Sequence, residues 1–124
     1  MEFLKTEKAP AAIGPYSQGT KEAGLIFVSG QLPINMETGD LEIDVKKAAK
    51  ASLTNVLEIV KAGGASLEDI LKVNVYVTNM DDFGAVNEVY DEFFGDHKPA
   101  RACVEVCKLP KGAVLEIEAI AYKA

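Results

Sequence analysis

Apolar side chains recur every three to four residues from Val45 to Val60, and that one stripe limits the folds open to this chain. Asp44 precedes it as an N-cap and Gly63-Gly64 follows it as a stop, so the spacing predicts a helix running to about Ala62. The stripe (Val45, Ala49, Leu53, Val56, Leu57 and Val60) must be buried against something. Most other apolar stretches repeat every second residue, so the partner is a β-sheet.

The strands are read as follows. Phe3 to Thr6 is a short strand and Gln18 to Glu22 a second, separated by a Pro/Gly loop from Ala9 to Pro15. Leu25 to Ser29, after an Ala23-Gly24 turn, is a continuous apolar run expected to be buried on both faces. Gln31 to Ile43 reads as a loop with a turn at Thr38-Gly39-Asp40. Ile70 to Thr78 alternates, with Val73, Val75 and Val77 on one face and Asn74, Tyr76 and Thr78 on the other. Asp81 or Asp82 caps a second helix to about Phe94, whose buried stripe is Phe83, Val86, Tyr90, Phe93 and Phe94, and Gly95 ends it. Ala100 to Lys108 and Ala113 to Lys123 are the last two strands, joined by Leu109-Pro110-Lys111-Gly112.

The order is β-β-β-α-β-α-β-β within 124 residues, enough for one domain, residues 1–124, with one core. Two helices cover one face of a five- or six-stranded sheet, an α+β sandwich. The other face is left bare and partly apolar, which predicts self-association.

Composition narrows the partners. Apolar residues make up 48% and charged residues 26%, as in an ordinary globular protein, and the net charge is −6. That balance disfavours non-specific binding to nucleic acid or anionic membrane. Lys46, Lys47 and Lys50 are the nearest approach to a basic patch, and they read as the solvated side of the first helix. No stretch approaches the ~20 apolar residues of a membrane span. Met1-Glu2-Phe3-Leu4-Lys5 lacks the pattern of a signal peptide, so a cytoplasmic location is expected. Cys103 and Cys107 would lie roughly 13 Å apart along one strand, too far for a disulfide. With His97 as the only histidine and no Cys-x-x-Cys, no structural metal site is expected.

Arg101 is the residue that points to chemistry. Ala102, Val104 and Val106 face one way; Arg101, Cys103 and Glu105 face the other. A guanidinium is costly to bury without an anion, and its planar fork matches a carboxylate. It is therefore either a receptor for a small carboxylate or an edge-strand arginine reaching solvent or a structural acid. Gly14-Pro15-Tyr16-Ser17-Gln18 sets a tyrosine at a loop-to-strand junction, which by itself reads as a packed turn. Gly30, after Ser29, admits a ligand or another backbone. Asn87 lies beside the buried stripe of the second helix. On the last strand Leu115, Ile117, Ala119 and Ala121 share the core face, and Glu116 and Glu118 the opposite one.

Taken together, Ala9-Pro-Ala-Ala-Ile-Gly-Pro-Tyr-Ser-Gln18, Val28-Ser-Gly-Gln-Leu-Pro33, Val75-Tyr-Val-Thr-Asn-Met80, Phe83 to Phe94, Pro99-Ala-Arg-Ala-Cys-Val-Glu105, Leu109-Pro-Lys111 and Leu115-Glu-Ile-Glu-Ala-Ile-Ala121 resemble the RidA (YjgF) family of imine and enamine deaminases from end to end. The resemblance implies a chorismate-mutase-like α+β sandwich and a homotrimer with three active sites at subunit interfaces. It implies hydrolysis of 2-iminopropanoate (from 2-aminoacrylate) and 2-iminobutanoate, reactive products of serine and threonine dehydratases, to 2-keto acids and ammonia. By motif, Arg101 binds the carboxylate and Glu116 positions water. Tyr16, Ser29, Asn87 and Cys103 line the pocket, with the backbone at Gly30 completing its wall. No metal, nucleotide or flavin is required, because the imine is already electrophilic. One departure stands out: many deaminating members have a longer loop before Pro99, ending in an aromatic residue, where this chain has Gly-Asp-His-Lys98.

Two other readings remain: a ribonuclease or translation inhibitor, and a non-catalytic module for small carboxylates. The net charge of −6, and the absence of a histidine pair or an arginine-rich stripe, weigh against RNA cleavage. Finally, a tight turn at Leu109–Gly112 would pair Glu105 with Glu116 and Arg101 with Ile120. Arg101 and Glu116 would then sit roughly 13–14 Å apart along the strand, too far to grip one three-carbon substrate. A neighbour's Glu116, brought across the bare face, is expected to complete the site.

Overall fold

A computed structural model describes Met1–Ala124. Its elements are β1 (Glu2–Leu4), β2 (Gly19–Glu22), β3 (Leu25–Gln31), α1 (Val45–Ala62), β4 (Ile70–Val77), α2 (Phe83–Phe94), β5 (Ala100–Glu105) and β6 (Leu115–Tyr122). The order matches the one expected from periodicity. Both helices pack on one face of a six-stranded mixed sheet ordered β1-β2-β3-β6-β4-β5.

Helix α1 begins where the sequence says it should. The Asp44 carboxylate accepts from the Lys47 amide at 3.1 Å, and the Gly63 amide donates back to the carbonyls of Ile59 and Val60. Its buried side includes Ala48, Ala49, Leu53, Val56, Ile59 and Val60. These meet Val73, Val75 and Val77 of β4 and Leu115, Ile117 and Ala121 of β6 in a single core cluster. Lys46, Lys47 and Lys50 are exposed as expected, with Lys46 paired to Glu88 of α2 at 3.0 Å. Gly95 closes α2 at φ +61, a conformation that a side chain rarely adopts.

The pairing of the last two strands differs from the expected hairpin. β5 pairs with β4 in parallel, Arg101 beside Val73, and forms an edge of the sheet. β6 lies on the other side of β4, antiparallel to both β4 and β3. Glu116 therefore faces Tyr76, not Glu105, and Ile120 faces Lys72 and Phe27, not Arg101. The reason is α2: a strand that leaves one end of the sheet and returns through a helix re-enters parallel to its predecessor. The Leu109–Gly112 segment is a short helical turn with Lys111 at φ +59 that carries the chain past β4 instead of folding it back.

A second expectation also needs correction. Leu25–Ser29 is not buried on both faces within one chain. Ile26 and Val28 are buried, but Leu25 and Phe27 face out, Phe27 at 45% exposure. With Phe3, Val104 and Tyr122 they leave the helix-free face partly apolar, as the sequence predicted.

Candidate active site at two faces of one sheet

Residues paired across adjacent strands point to the same face. Arg101 is level with Val73 and Cys103 with Val75, so both point toward the helices. Arg101 donates from Nη1 to the Asn87 Oδ1 of α2 at 2.6 Å. Its guanidinium lies 4.8 Å from the Tyr90 ring centre and 5.5 Å from that of Phe83. None of the chain's ion pairs includes it. Of the two readings left open by the sequence, a structural pair with an acid is thus absent. The guanidinium is half-buried, held in place and without an anion.

A cavity of about 320 Å³ opens beside it, lined by Asn87, Tyr90, Asp91, Phe94, His97, Lys98, Pro99 and Arg101. Lys98 stands on this rim, where the sequence marked its departure, and reaches the Asp91 carboxylate at 3.3 Å and the Gly95 carbonyl at 3.2 Å. The His97 Nε2 lies 2.7 Å from the Ile70 carbonyl oxygen. Burial pushes the Cys103 thiol above its ordinary range, against a smaller downward pull from Arg101. A thiol so placed is poorly suited to be a nucleophile.

Glu116 is on the other face. It alternates with buried Leu115 and Ile117, and its carboxylate packs on Gly30. A Cβ at Gly30 would stand only 1.9 Å from Glu116 Oε1, so only glycine leaves that carboxyl its place. The register of β3 shifts between Val28 and Gln31, and the irregularity presents Gly30 there. Gly30 also walls a cavity of about 200 Å³ that includes Tyr16, Gln18 and Lys111. Ser29 donates its hydroxyl to the Ser17 carbonyl at 2.6 Å, which ties the Tyr16 loop to β3. Buried Gln18 completes that scaffold by donating to the Pro10 carbonyl at 2.8 Å and accepting from the Thr6 amide at 2.7 Å. Burial first, and Glu118 second, hold the Glu116 carboxyl above its usual 4.5.

The structure thus gathers Arg101, Asn87 and Cys103 into one half-site and Glu116, Gly30, Tyr16 and Ser29 into another. It does not bring the halves together within the chain. β4 separates β5 from β6, about 10 Å between strand axes. Arg101 is level with Ala119, three residues from Glu116, which adds about 10 Å along the strand. The two side chains also leave opposite faces. The sequence-based separation is upheld, but for a different reason.

Two contributors were missed in the sequence. Tyr90 and Phe83 read as core stripe, yet Phe83 is 38% exposed and both rings face Arg101. The available signal was spacing: positions 83, 87 and 90 fall on one side of a helix.

The two-layer sandwich is shared by known proteins that resemble this chain over its whole length. Residues 6–123 match the family described as Endoribonuclease L-PSP. A RutC family protein of Pyrococcus abyssi is 51% identical over 98% of this chain and 97% of its own length. The 2-iminobutanoate/2-iminopropanoate deaminase of Escherichia coli K12 is 49% identical, covering 97% and 96%. The crystal structure of E. coli TdcF with bound serine superposes with a TM-score of 0.95 at 46% identity, covering 100% of both chains. That of the E. coli YjgF gene product gives 0.96 at 46%, again over 100% of both. The chain belongs to the Endoribonuclease L-PSP family, also called the RidA or YjgF family.

Proposed function

We propose that this protein is a 2-iminobutanoate/2-iminopropanoate deaminase that works as a homotrimer with sites shared between chains. The observation that carries this reading is Arg101, held by Asn87 and Tyr90 and paired with no carboxylate of its own chain. It is a receptor for a small carboxylate. The name of the E. coli relative supports the substrate class.

The chemistry needs few groups. An enamine such as 2-aminoacrylate tautomerises to its imine, water adds to C2, and ammonia leaves the tetrahedral adduct to give a 2-keto acid. Arg101 fixes the carboxylate, so the imine carbon presents one face to water. Glu116, its carboxyl raised above its ordinary range by burial, accepts a proton from the attacking water and returns one to the departing nitrogen. Tyr16, Ser29 and Gly30 wall its side; Asn87 and Cys103 wall that of Arg101.

Because the two groups lie on opposite faces of one sheet, a productive site takes Arg101 from one chain and Glu116 from the next. The exposed Phe27, Val104 and Tyr122 supply the apolar surface for that assembly. Light scattering should give about three times the chain mass. Mixed trimers of Arg101→Ala and Glu116→Ala chains should recover activity, since some interfaces then join an intact arginine to an intact glutamate. No recovery in verified mixed trimers would rule out shared sites.

Purified protein coupled to a serine or threonine dehydratase should speed keto-acid formation, and Arg101→Ala should not. The family description also names an endoribonuclease. The net charge of −6 and a lone histidine tied to a backbone carbonyl supply neither a phosphate track nor an acid–base pair. RNA cleavage lost in Arg101→Ala, without keto-acid formation by the wild type, would favour that reading. Keto-acid binding without turnover would favour a carboxylate-binding module.

A further inference from the structure

Beside Glu116 on the bare face lies a second acid, Glu118, that the proposed reaction does not use. The two are neighbours on β6 on one side of the sheet, roughly 7 Å apart by strand geometry. Glu118 is not loose. Its Oε2 accepts from the Asn74 amide at 3.0 Å and from the Tyr76 hydroxyl at 3.1 Å. Asn74 is its direct partner across β4, and Tyr76, the direct partner of Glu116, leans diagonally to reach it. Both groups donate to one oxygen, an arrangement that fixes the position of the carboxylate.

We propose that Glu118 is a positioning residue for the reaction: clamped by Asn74 and Tyr76, it presents a fixed negative charge beside Glu116 and sets the pH range over which Glu116 exchanges protons. Beside Glu116, β3 places Gly30 and β4 places Tyr76, neither of them a cation. Lys72 pairs with Ile120, four residues along the strand, and Lys111 lines the cavity behind Gly30. Arg101 of the same chain faces the helices; in the proposed trimer a neighbouring chain's Arg101 shares the site with Glu116, where its charge is paired with the substrate carboxylate. Burial, the Glu118 hydrogen bond and the nearby carboxylates push the Tyr76 hydroxyl above its ordinary 10, so it remains a donor at neutral pH. Glu118 is also the one charge that raises Glu116. Like charges on one face oppose ionisation, so a charge held on Glu118 makes Glu116 hold its proton more tightly.

The kinetic part of this inference rests on the deaminase reading; the titration part does not. The Glu116 carboxyl carbon can be followed by carbon-13 NMR in glutamate-labelled protein, its signal assigned by loss in Glu116→Gln. In Glu118→Gln it should titrate at lower pH than in wild type. Glu118→Asp, which keeps the charge, should remain nearer wild type. If Glu118→Gln fails to fold, the double variant Asn74→Ala/Tyr76→Phe frees the Glu118 carboxylate to swing away and should move Glu116 in the same direction. The limb of the pH–rate profile set by Glu116 should shift down with it, whether the acid or the base form is active. An unchanged titration of Glu116 in these variants overturns the proposal. A shifted titration in a protein that turns over no imino acid upholds the coupling and refutes the deaminase reading instead.

Discussion

Arg101 is placed by its own chain: the side-chain Oδ1 of Asn87 on α2 accepts from one nitrogen at 2.6 Å, and two aromatic rings flank the guanidinium. Glu116, on the far side of the same sheet, rests against a bare glycine and beside a second acid. On the proposed reading, the first half holds a receptor formed before substrate or neighbour arrives, and the second a proton-transfer group whose behaviour depends on how much water surrounds it. That reading divides binding and chemistry between faces, so that each can be damaged separately.

The largest effect should come from the receptor. Arg101→Ala deletes a charge-assisted contact worth roughly 1.5–3 kcal/mol, so kcat/KM should fall at least about tenfold, chiefly through KM. Lysine should rescue poorly, because it lacks the planar fork. Near-wild-type deamination by the alanine variant would remove Arg101 from the site.

Gly30→Ala comes next and strikes the other half. The new methyl would displace the Glu116 carboxyl, and the loss should be on the order of tenfold in kcat. It should fall short of the hundredfold that misplacement can reach, because the displaced group is the end of a flexible side chain. If Gly30→Ala and Arg101→Ala alter the same kinetic constant, the division between binding and chemistry is wrong.

Asn87→Ala sharpens the comparison from the receptor side. It removes one hydrogen bond to a charged group but leaves the Tyr90 ring beneath it. A cost of about 1 kcal/mol, or roughly fivefold in KM, is expected, with kcat little changed. No effect on KM would mean that the aromatic rings alone fix the guanidinium.

The smallest effect concerns stability. Glu116 holds its proton more tightly when folded than at its ordinary 4.5, so its contribution is full below that value. It is lost as pH rises through the raised folded value. Glu116→Gln should flatten that stretch of the Tm–pH curve, and an unflattened curve would mean that the carboxyl is well solvated in the assembled protein.

Periodicity sorted the side chains of each strand into two sets but did not say which face of the sheet each set takes: the assumed hairpin would have put Arg101 and Glu116 on one face, and the parallel pairing of β5 puts them on opposite ones. Arg101 and Cys103 fell on one side of β5, and Glu116 and Glu118 on the outer side of β6, as the alternation required. The caps of α1 were equally plain, because Asp44 and Gly63 act on backbone groups only a turn away. Strand adjacency was not legible. A four-residue connection such as Leu109–Gly112 suggests a hairpin, and nothing local signals that β6 must instead pass β4 to reach β3. That choice is made by distant packing, with Ile117 and Ala121 filling the core under α1. The Tyr90 and Phe83 cradle was hidden for a related reason: aromatic residues at helical spacing look alike whether they cover a core or a guanidinium.

The position of β6 has a consequence for how such a chain is made. The sixth strand to be synthesised lies between the third and the fourth, and pairs Leu25 with Tyr122 and Val77 with Leu115. Until it leaves the ribosome, β3 and β4 have no partner between them, and α1 has nothing complete to rest on. Such long-range closure is slow compared with local pairing, and it leaves apolar strand edges exposed meanwhile. The nascent protein should therefore remain a client for chaperones until its final strand is free, and losing a few residues from that strand should cost the whole sheet.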